Sequence, residues 1–225
     1  MTALLAIETS GEVGSVAVAT HGIVRERSIA TPREQTERLL PLVEELLGEA
    51  KLRVADLDAV VFGRGPGSFT GLRIATAAAQ GLAMAARLPV IGVSSLAGTA
   101  QRAAEAGVER SLVCIDARMG EVYWACFEVR DGLAQPAGEE HIGAPETVII
   151  PDWEQWTALG AGFAAHAATL AHVGARAAQV LPEIYARARD LLAQAQADLG
   201  AGRVLAAAEA RPTYLRDASA WRRPR

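Results

Sequence analysis

Three groups of residues have the types and spacing for chemistry. The densest is Gly63-Arg64-Gly65-Pro66-Gly67-Ser68-Phe69-Thr70-Gly71-Leu72-Arg73. Glycines let backbone N–H groups come close to a ligand, and a following helix N-terminus carries partial positive charge. The run could therefore cradle a phosphate through Gly65, Gly67, Ser68, Thr70 and Gly71. It is not a Walker loop, since no Lys-Ser/Thr follows the last glycine, and it misses G-x-G-x-x-G because the third glycine falls one place late. The same glycines would equally serve a tight turn packed closely on its neighbours, and residue types leave both readings open. Glu8 and Asp116 form the second group. Each ends an apolar run, and the pair could face each other across a cleft to hold the water of a Mg²⁺ ion or act as a base; strand-end acids also serve as plain turn caps. The third group is His21, His141, His166 and His172, among which no pair has metal-ligand spacing, and no H-E-x-x-H, C-x-x-C or G-x-S-x-G occurs. No metal site is expected.

Those residues need elements to hold them. The runs at residues 3–9, 13–18 and 23–30 are short and strand-like, separated by Ser10-Gly11-Glu12 and His21-Gly22, and predict an antiparallel meander. Thr31-Pro32-Arg33-Glu34 predicts a helix start with Thr31 capping and Glu34 returning the bond. Behind it Leu39, Leu42, Val43, Leu46 and Leu47 form one stripe, Pro41 should bend the helix, and Gly48 should stop it. Strands at 58–63 and 89–93 alternate with helices at about 70–87 and 94–106, which implies a mixed sheet flanked by helices. Residues 112–127 then repeat the strand-acid-turn-strand order of residues 4–18, as an internal duplication would. Beyond them we expect an alanine-rich helix from Leu159-Gly160-Ala161-Gly162 to about Val173, another over 183–198, and a short one at 203–210. Trp153 and Trp156 read as packing residues.

Composition narrows the classes. The chain has 225 residues, 51% hydrophobic, with 22 basic and 26 acidic side chains. Disorder and fibrous classes are excluded, and the length suits one large or two small domains. Lys51 is the only lysine, so lysine chemistry has one candidate. Cys114 and Cys126 are too few for a disulfide framework and read as reduced core residues; with no basic leader and no apolar run of membrane length, a cytoplasmic protein with no membrane association is expected. The net charge of -4 is uneven. Residues 1–210 carry 17 basic against 25 acidic groups, whereas the last fifteen carry Arg211, Arg216, Arg222, Arg223 and Arg225 against Asp217. That tail could touch RNA or an acidic partner, or simply be solvated. The helix at 70–87 is lined by Gly71, Ala75, Ala78, Ala79, Gly81 and Ala83, so it should be buried within the chain or by a second one. With the helix at 32–50 it makes the expected association surface, through Leu39, Leu40, Val43, Leu47, Gly71, Ala75, Ala78 and Leu82.

LLAIETS at 4–10, GPGSFTGLRIA at 65–75, PVIGVSSL at 89–96, DARMGEVYWACF at 116–127 and RPTYLRD at 211–217 together resemble the TsaB (YeaZ) family. The match is dense over residues 1–127 and sparse from 128 to 210. It implies an α/β fold of the actin/Hsp70 (ASKHA) type, with duplicated RNase H-like halves: residues 1–108, the dimerising half, and 109–225, the half with the basic tail. It also implies a non-catalytic subunit of the complex that forms N6-threonylcarbamoyladenosine at position 37 of tRNA. Such a subunit is a homodimer that exchanges for a heterodimer with the catalytic paralogue TsaD and helps recruit the ATPase TsaE. It meets tRNA indirectly or through its tail, needs no cofactor itself, and would see ATP or ADP only at a partner interface. In the family a histidine is frequent where Gln35 stands here, so any contact it makes is made differently. The paralogue's paired helix histidines have no counterpart in this chain. The alternative is an ATP-dependent small-molecule kinase or ATPase of the same fold, using Glu8, Asp116 and residues 65–71; its second phosphate loop would have to be the short Gly160-Ala161-Gly162.

Overall fold

A computed structural model of the protein describes residues 2–216. The meander expected at the start is present as β1 (Leu4–Glu8), β2 (Gly14–Thr20) and β3 (Ile23–Ile29). It is followed by α1 (Pro32–Ala50), β4 (Ala59–Gly65), α2 (Phe69–Ala86), β5 (Val90–Ser94) and α3 (Ser95–Ala104). The sheet order is β3-β2-β1-β4-β5. β2 runs antiparallel to β1, whereas β4 runs parallel to it with Leu4 opposite Ala59, and β5 runs parallel to β4. Side chains of a strand alternate between faces. Leu5, Ile7, Val16, Val18, Val60 and Phe62 therefore meet the stripes of α1 and α2, among them Leu39, Leu42, Leu46, Ala75 and Ala79.

The second half repeats the plan with β6 (Arg110–Arg118), β7 (Glu121–Arg130), β8 (Leu133–Pro136), β9 (His141–Gly143), β10 (Thr157–Leu159) and β11 (Gln179–Leu181). Its order is β11-β10-β6-β7-β8, with β9 also on β7, and both β10 and β11 join in parallel. Strand for strand this is the order of the first sheet, as duplication requires. The helices are exchanged between the halves. Leu96, Ala100 and Ala103 of α3 pack on Val113, Ala125, Phe127 and Leu159 of the second sheet. Conversely, Leu192 and Ala195 of α6 (Leu192–Gly200), with Leu191 before it, pack on Leu4, Ala6, Ala17, Val61 and Ile91 of the first.

Five local expectations are corrected. Thr31 precedes α1 without a side-chain cap bond, and α1 runs through Pro41 and past Gly48 to Lys51, whose left-handed backbone (φ 57°) ends it. There Lys51 N–H bonds Gly48 O and Leu52 N–H bonds Leu47 O. The alanine-rich stretch forms two four-residue helices, α4 (Gly162–Ala165) and α5 (Ala171–Gly174), instead of one to Val173. A crossover helix has to run back along its strand. Seven-residue β4 spans about 23 Å, which suits α2, whereas three-residue β10 spans about 10 Å, and a twelve-residue helix of about 18 Å would overshoot it. The helix expected over 183–198 begins only at Ala188, as a 3-10 turn leading into α6. Asp190 fixes that start by accepting from Arg187 N (2.8 Å), Nε (2.9 Å) and Nη2 (2.7 Å). Only a 3-10 turn, Ala207–Glu209, forms in 203–210.

Candidate functional site

The end of β1 meets the glycine-rich loop and the start of α3. Glu8 closes β1 and is 1% exposed. Its Oε1 accepts from Ser10 N–H (2.6 Å) and its Oε2 from the Ser95 hydroxyl (2.8 Å). Gly63 makes room for this carboxylate, because a Cβ there would lie 2.1 Å from Oε2. Burial pushes the Glu8 carboxyl above the usual range, against the bonds from Ser10, Ser95 and Thr9 that pull it down. The sequence reading turned Glu8 toward a cleft; the structure seals it among its own neighbours instead.

The glycines of the loop also work by close approach. A Cβ on Gly71 would sit 1.8 Å from the Thr9 carbonyl oxygen, and one on Gly67 would sit 2.6 Å from Ser10 Cβ. Thr9 Oγ1 donates to Gly71 O (2.7 Å), and Ser68 N–H donates to Ser10 O (2.8 Å). Ser68 caps α2 by accepting from Gly71 N–H (3.4 Å). The Ser68 and Gly71 N–H groups that would meet a phosphate are thus engaged within the chain, while Gly65 adopts φ +97° and Thr70 is exposed. Of the two readings left open by residue types, this geometry supports the packed turn.

Asp116, at the topologically equivalent end of β6, lives differently. Its Oδ1 accepts from Arg118 N–H (2.9 Å), its Oδ2 pairs with Arg118 Nη1 (3.0 Å), and His166 Nε2 lies 3.4 Å from Oδ1. Arg118 also reaches Glu12 (3.3 Å), joining the β1–β2 turn to the β6–β7 turn. Gly160, at φ +98°, and Gly162 pack on the Cys114 carbonyl, where Cβ atoms would lie 2.5 and 2.8 Å away. This is the second half's shorter version of the glycine loop against β1. Burial pushes the Cys114 and Cys126 thiols up to about 12, and both are free. Among the described residues no three His, Cys, Asp or Glu side chains gather as a metal site would require.

The segment 210–216, read from sequence as the start of a basic tail, ties the two halves together. Gln80 Nε2 donates to Ala210 O (3.0 Å), and Thr213 N–H donates to Arg64 O (2.7 Å). Arg64 in turn grips both oxygens of Glu140 (3.0 Å each) and the Thr213 hydroxyl (3.0 Å). Arg216 pairs with Glu121 (2.5 Å) and donates to Ala117 O (3.1 Å). Arg216 thus ties the segment to β6 and β7; Asp217, Arg222, Arg223 and Arg225 lie outside the described residues.

The expected association helices are α1 and α2, and most residues named on them turn inward. Leu39, Val43, Leu47 and Ala75 belong to the chain's own core, and Gly71 is buried under Thr9. Their stripe is what holds α1 and α2 on the sheet, so it is not a free face. Leu40 is 54% exposed, while Ala78 and Leu82 are half-buried. Leu40, Val43, Leu47, Leu52, Val54 and Leu82 line a groove of about 480 Å³ between the helices. Gln35 is buried under the first turn, its Nε2 donating to Gly11 O (3.3 Å). Sequence reasoning missed Ser95, Arg64, Glu140, Thr213 and His166. Each acts over tens of residues, and only the strand order brings it to its partner.

The TsaD family model, described as tRNA N6-adenosine threonylcarbamoyltransferase, matches residues 18–223. The chain is 39% identical to the Escherichia coli tRNA threonylcarbamoyladenosine biosynthesis protein TsaB, over 98% of this chain and 97% of that one. It is 35% identical to the Haemophilus influenzae protein of the same name, over 98% and 96%. The solved structure of YeaZ from Pseudomonas aeruginosa overlays with a TM-score of 0.87 at 39% identity, covering 96% of this chain and all of that one. Among the described residues no helix is long and apolar enough to cross a membrane. An end-to-end match of sequence, together with a matching fold built on two copies of one strand order, places this chain in the TsaB (YeaZ) family.

Proposed function

We propose that this chain serves the formation of N6-threonylcarbamoyladenosine on tRNA, at position 37, as the non-catalytic subunit that binds TsaD and helps recruit TsaE in the cytoplasm. The observation that carries the reading is the likeness to TsaB proteins over 98% of the chain. The site supports the non-catalytic part. Glu8, the carboxylate that a phosphotransferase of this fold would turn to its cleft, is enclosed by Ser10, Ser95 and Gly63, and the Ser68 and Gly71 N–H groups of the loop are bonded within the chain. The exposed remainder of α1 and α2, centred on Leu40 and Leu82, is the surface for a second copy or for TsaD. ATP or ADP on this reading belongs to a partner interface.

Reconstitution tests it. This chain is mixed with TsaD, TsaE, tRNA and threonylcarbamoyl-adenylate, and the modified nucleoside is measured. Modification is expected only when all proteins are present, and Leu40→Arg should abolish co-elution with TsaD while leaving the melting temperature unchanged. Full turnover without this chain would sink the reading, and tight Mg-ATP binding by the isolated protein would favour the kinase.

A further inference from the structure

The two most exposed large apolar side chains among the described residues are Ile149, at 71%, and Met84, at 62%. Met84 stands on the last turn of α2, which closes at Arg87 in a left-handed backbone (φ 58°) as Leu88 N–H returns to Ala83 O (2.9 Å). Leu205, 43% exposed, runs alongside. It bonds Val90 in both directions at 2.9 Å, which fixes the segment after α6 beside the start of β5. Between them lies a groove of about 410 Å³, lined by Met84, Leu88, Pro89, Val204 and Leu205. Arg87 also lines it and makes no ion pair among the described residues. Leu82 and Met84 lie about 200° apart round the helix, so this groove is on the opposite side of α2 from the one toward α1.

Ile149 has the opposite character. Val148 is buried and Ile150 packs half-buried on the same core, so the chain is anchored on both sides of the exposed side chain. A 3-10 turn (Pro145–Thr147) and Pro151 stiffen its approaches. Glu146 and Asp152 stand three residues to either side, exposed and without an ion pair among the described residues, and no Lys or Arg occurs from residue 131 to residue 175. We propose that Ile149 of one copy of this chain enters the groove beside Met84 and Leu205 of another, with Glu146 and Asp152 meeting Arg87. An apolar side chain between unpaired acids answers an apolar groove that holds an unpaired cation. Burial supplies the attraction, and the charges fix which surface meets which. The contact joins unlike surfaces, so each copy keeps one free groove and one free Ile149, and assembly does not close at two. It uses neither Leu40 nor Leu82 and leaves the α1–α2 surface of the proposed function open.

The test is sedimentation velocity of the full-length chain in a Leu40→Arg background, which takes the α1–α2 surface out of the readout. A contact of a few side chains is weak, so the mean sedimentation coefficient should rise steadily between about 10 µM and about 1 mM protein at low salt. Met84→Glu or Ile149→Asp should each hold it at its dilute value without changing the melting temperature, because both side chains are exposed. Mixed in equal amounts, these two variants should associate again, since one keeps the groove and the other keeps Ile149, and they should stop at a single joined pair. Arg87→Glu should weaken the association about tenfold, and Glu146→Lys with Asp152→Lys should restore it. A sedimentation coefficient that stays constant up to the highest concentration overturns the contact. So does association that survives both Met84→Glu and Ile149→Asp, or a mixture of the two that stays apart. If Met84→Glu instead loses co-elution with TsaD or TsaE while the chain never associates with itself, the groove belongs to a partner protein and the proposal falls. Failure of the reconstitution leaves the contact standing, since it invokes no component of that reaction.

Discussion

The two halves share one strand order and differ in nearly everything laid upon it. On its outer face the first sheet carries α1 and α2, of 19 and 18 residues; on the corresponding face of the second lie a long irregular segment and the four-residue α4 and α5. Each half places an acid at the end of its first strand. Glu8 is enclosed by hydroxyl, amide and glycine, whereas Asp116 is partly open and paired with Arg118 and His166. Duplication thus preserved the backbone frame, and the frame tolerated opposite treatment of its faces and its acids. Long strands gave room for long helices, and these supply the surface available to partners. Short strands gave a compact cap with a core of its own around Trp124, Trp156 and Phe163.

The sharpest way to break this comparison is to treat the halves as independent. They exchange α3 and α6, so residues 1–108 alone would lack a cover for one face of their sheet and would leave α3 without its own. Neither 1–108 nor 109–225 should fold alone, and the intact chain should melt in one calorimetric transition. Leu96→Ala and Leu191→Ala, each opposite the other half's sheet, should each cost about 2–5 kcal/mol in urea unfolding. Two separate transitions would show the halves to be autonomous.

Next in size are the glycines that bring loop and strand together in both halves. Gly71→Ala drives a Cβ into the Thr9 carbonyl, and Gly160→Ala drives one into the Cys114 carbonyl at positive φ. Neither backbone can yield like a flexible side chain, so each should cost about 3 kcal/mol or more. Gly81→Ala is the control. Nothing lies within 4 Å of its Cβ position, so it should stabilise by about 0.5–1 kcal/mol. Equal melting temperatures for the three variants would refute the close-approach account.

These glycines also mark what was legible from residues alone. The meander, the helix at 70–87 and the repeat near residue 112 were readable because apolar alternation and turn residues are local signals. That the loop glycines serve packing was not, because the atoms they avoid belong to Thr9 and Ser10, about 60 residues away. The stripe Leu39, Val43, Leu47 told that α1 is amphipathic, but an apolar stripe is the same whether it faces its own sheet or a partner. Leu40, just off the stripe, was the informative residue. The start of α6 was mistaken because alanine-rich segments predict helix everywhere, while the Asp190 bond to Arg187 that fixes the boundary lies in the 3-10 turn before it. The exchange of α3 and α6 has no local trace.

A smaller effect separates the two strand-end acids. The Glu8 carboxyl is raised by burial, so its contribution to stability is fully present below the ordinary value of 4.5 and is lost as pH rises through its raised folded value. Burial raises Glu26 as well, with the same sign. Melting temperature should therefore fall from mildly acid toward neutral pH by more in the wild type than in Glu8→Gln, with Glu26 leaving a residual slope. Ser95→Ala, which strips one bond from the carboxylate, should cost about 1–3 kcal/mol and steepen the loss. Parallel pH profiles for wild type and Glu8→Gln would mean that Glu8 is not titrating in this range.

The smallest expected effect concerns the ion pairs that join the halves. Arg64–Glu140 is bidentate, with side chains 31% and 14% exposed, and it also holds Thr213. Arg118–Glu12 is a single 3.3 Å contact with side chains 74% and 84% exposed. Solvent screens the second pair almost completely, and ordering two long side chains offsets what attraction remains. Glu12→Gln should therefore shift stability by less than about 0.5 kcal/mol, whereas Arg64→Ala leaves a mostly buried Glu140 without its partner and should cost about 1–3 kcal/mol. Measured by urea unfolding at 50 mM and 500 mM salt, the small Glu12 effect should vanish while the Arg64 effect largely persists. A Glu12 effect as large as that of Arg64 would mean that the turn carrying Asp116 is clamped to the first half from both sides.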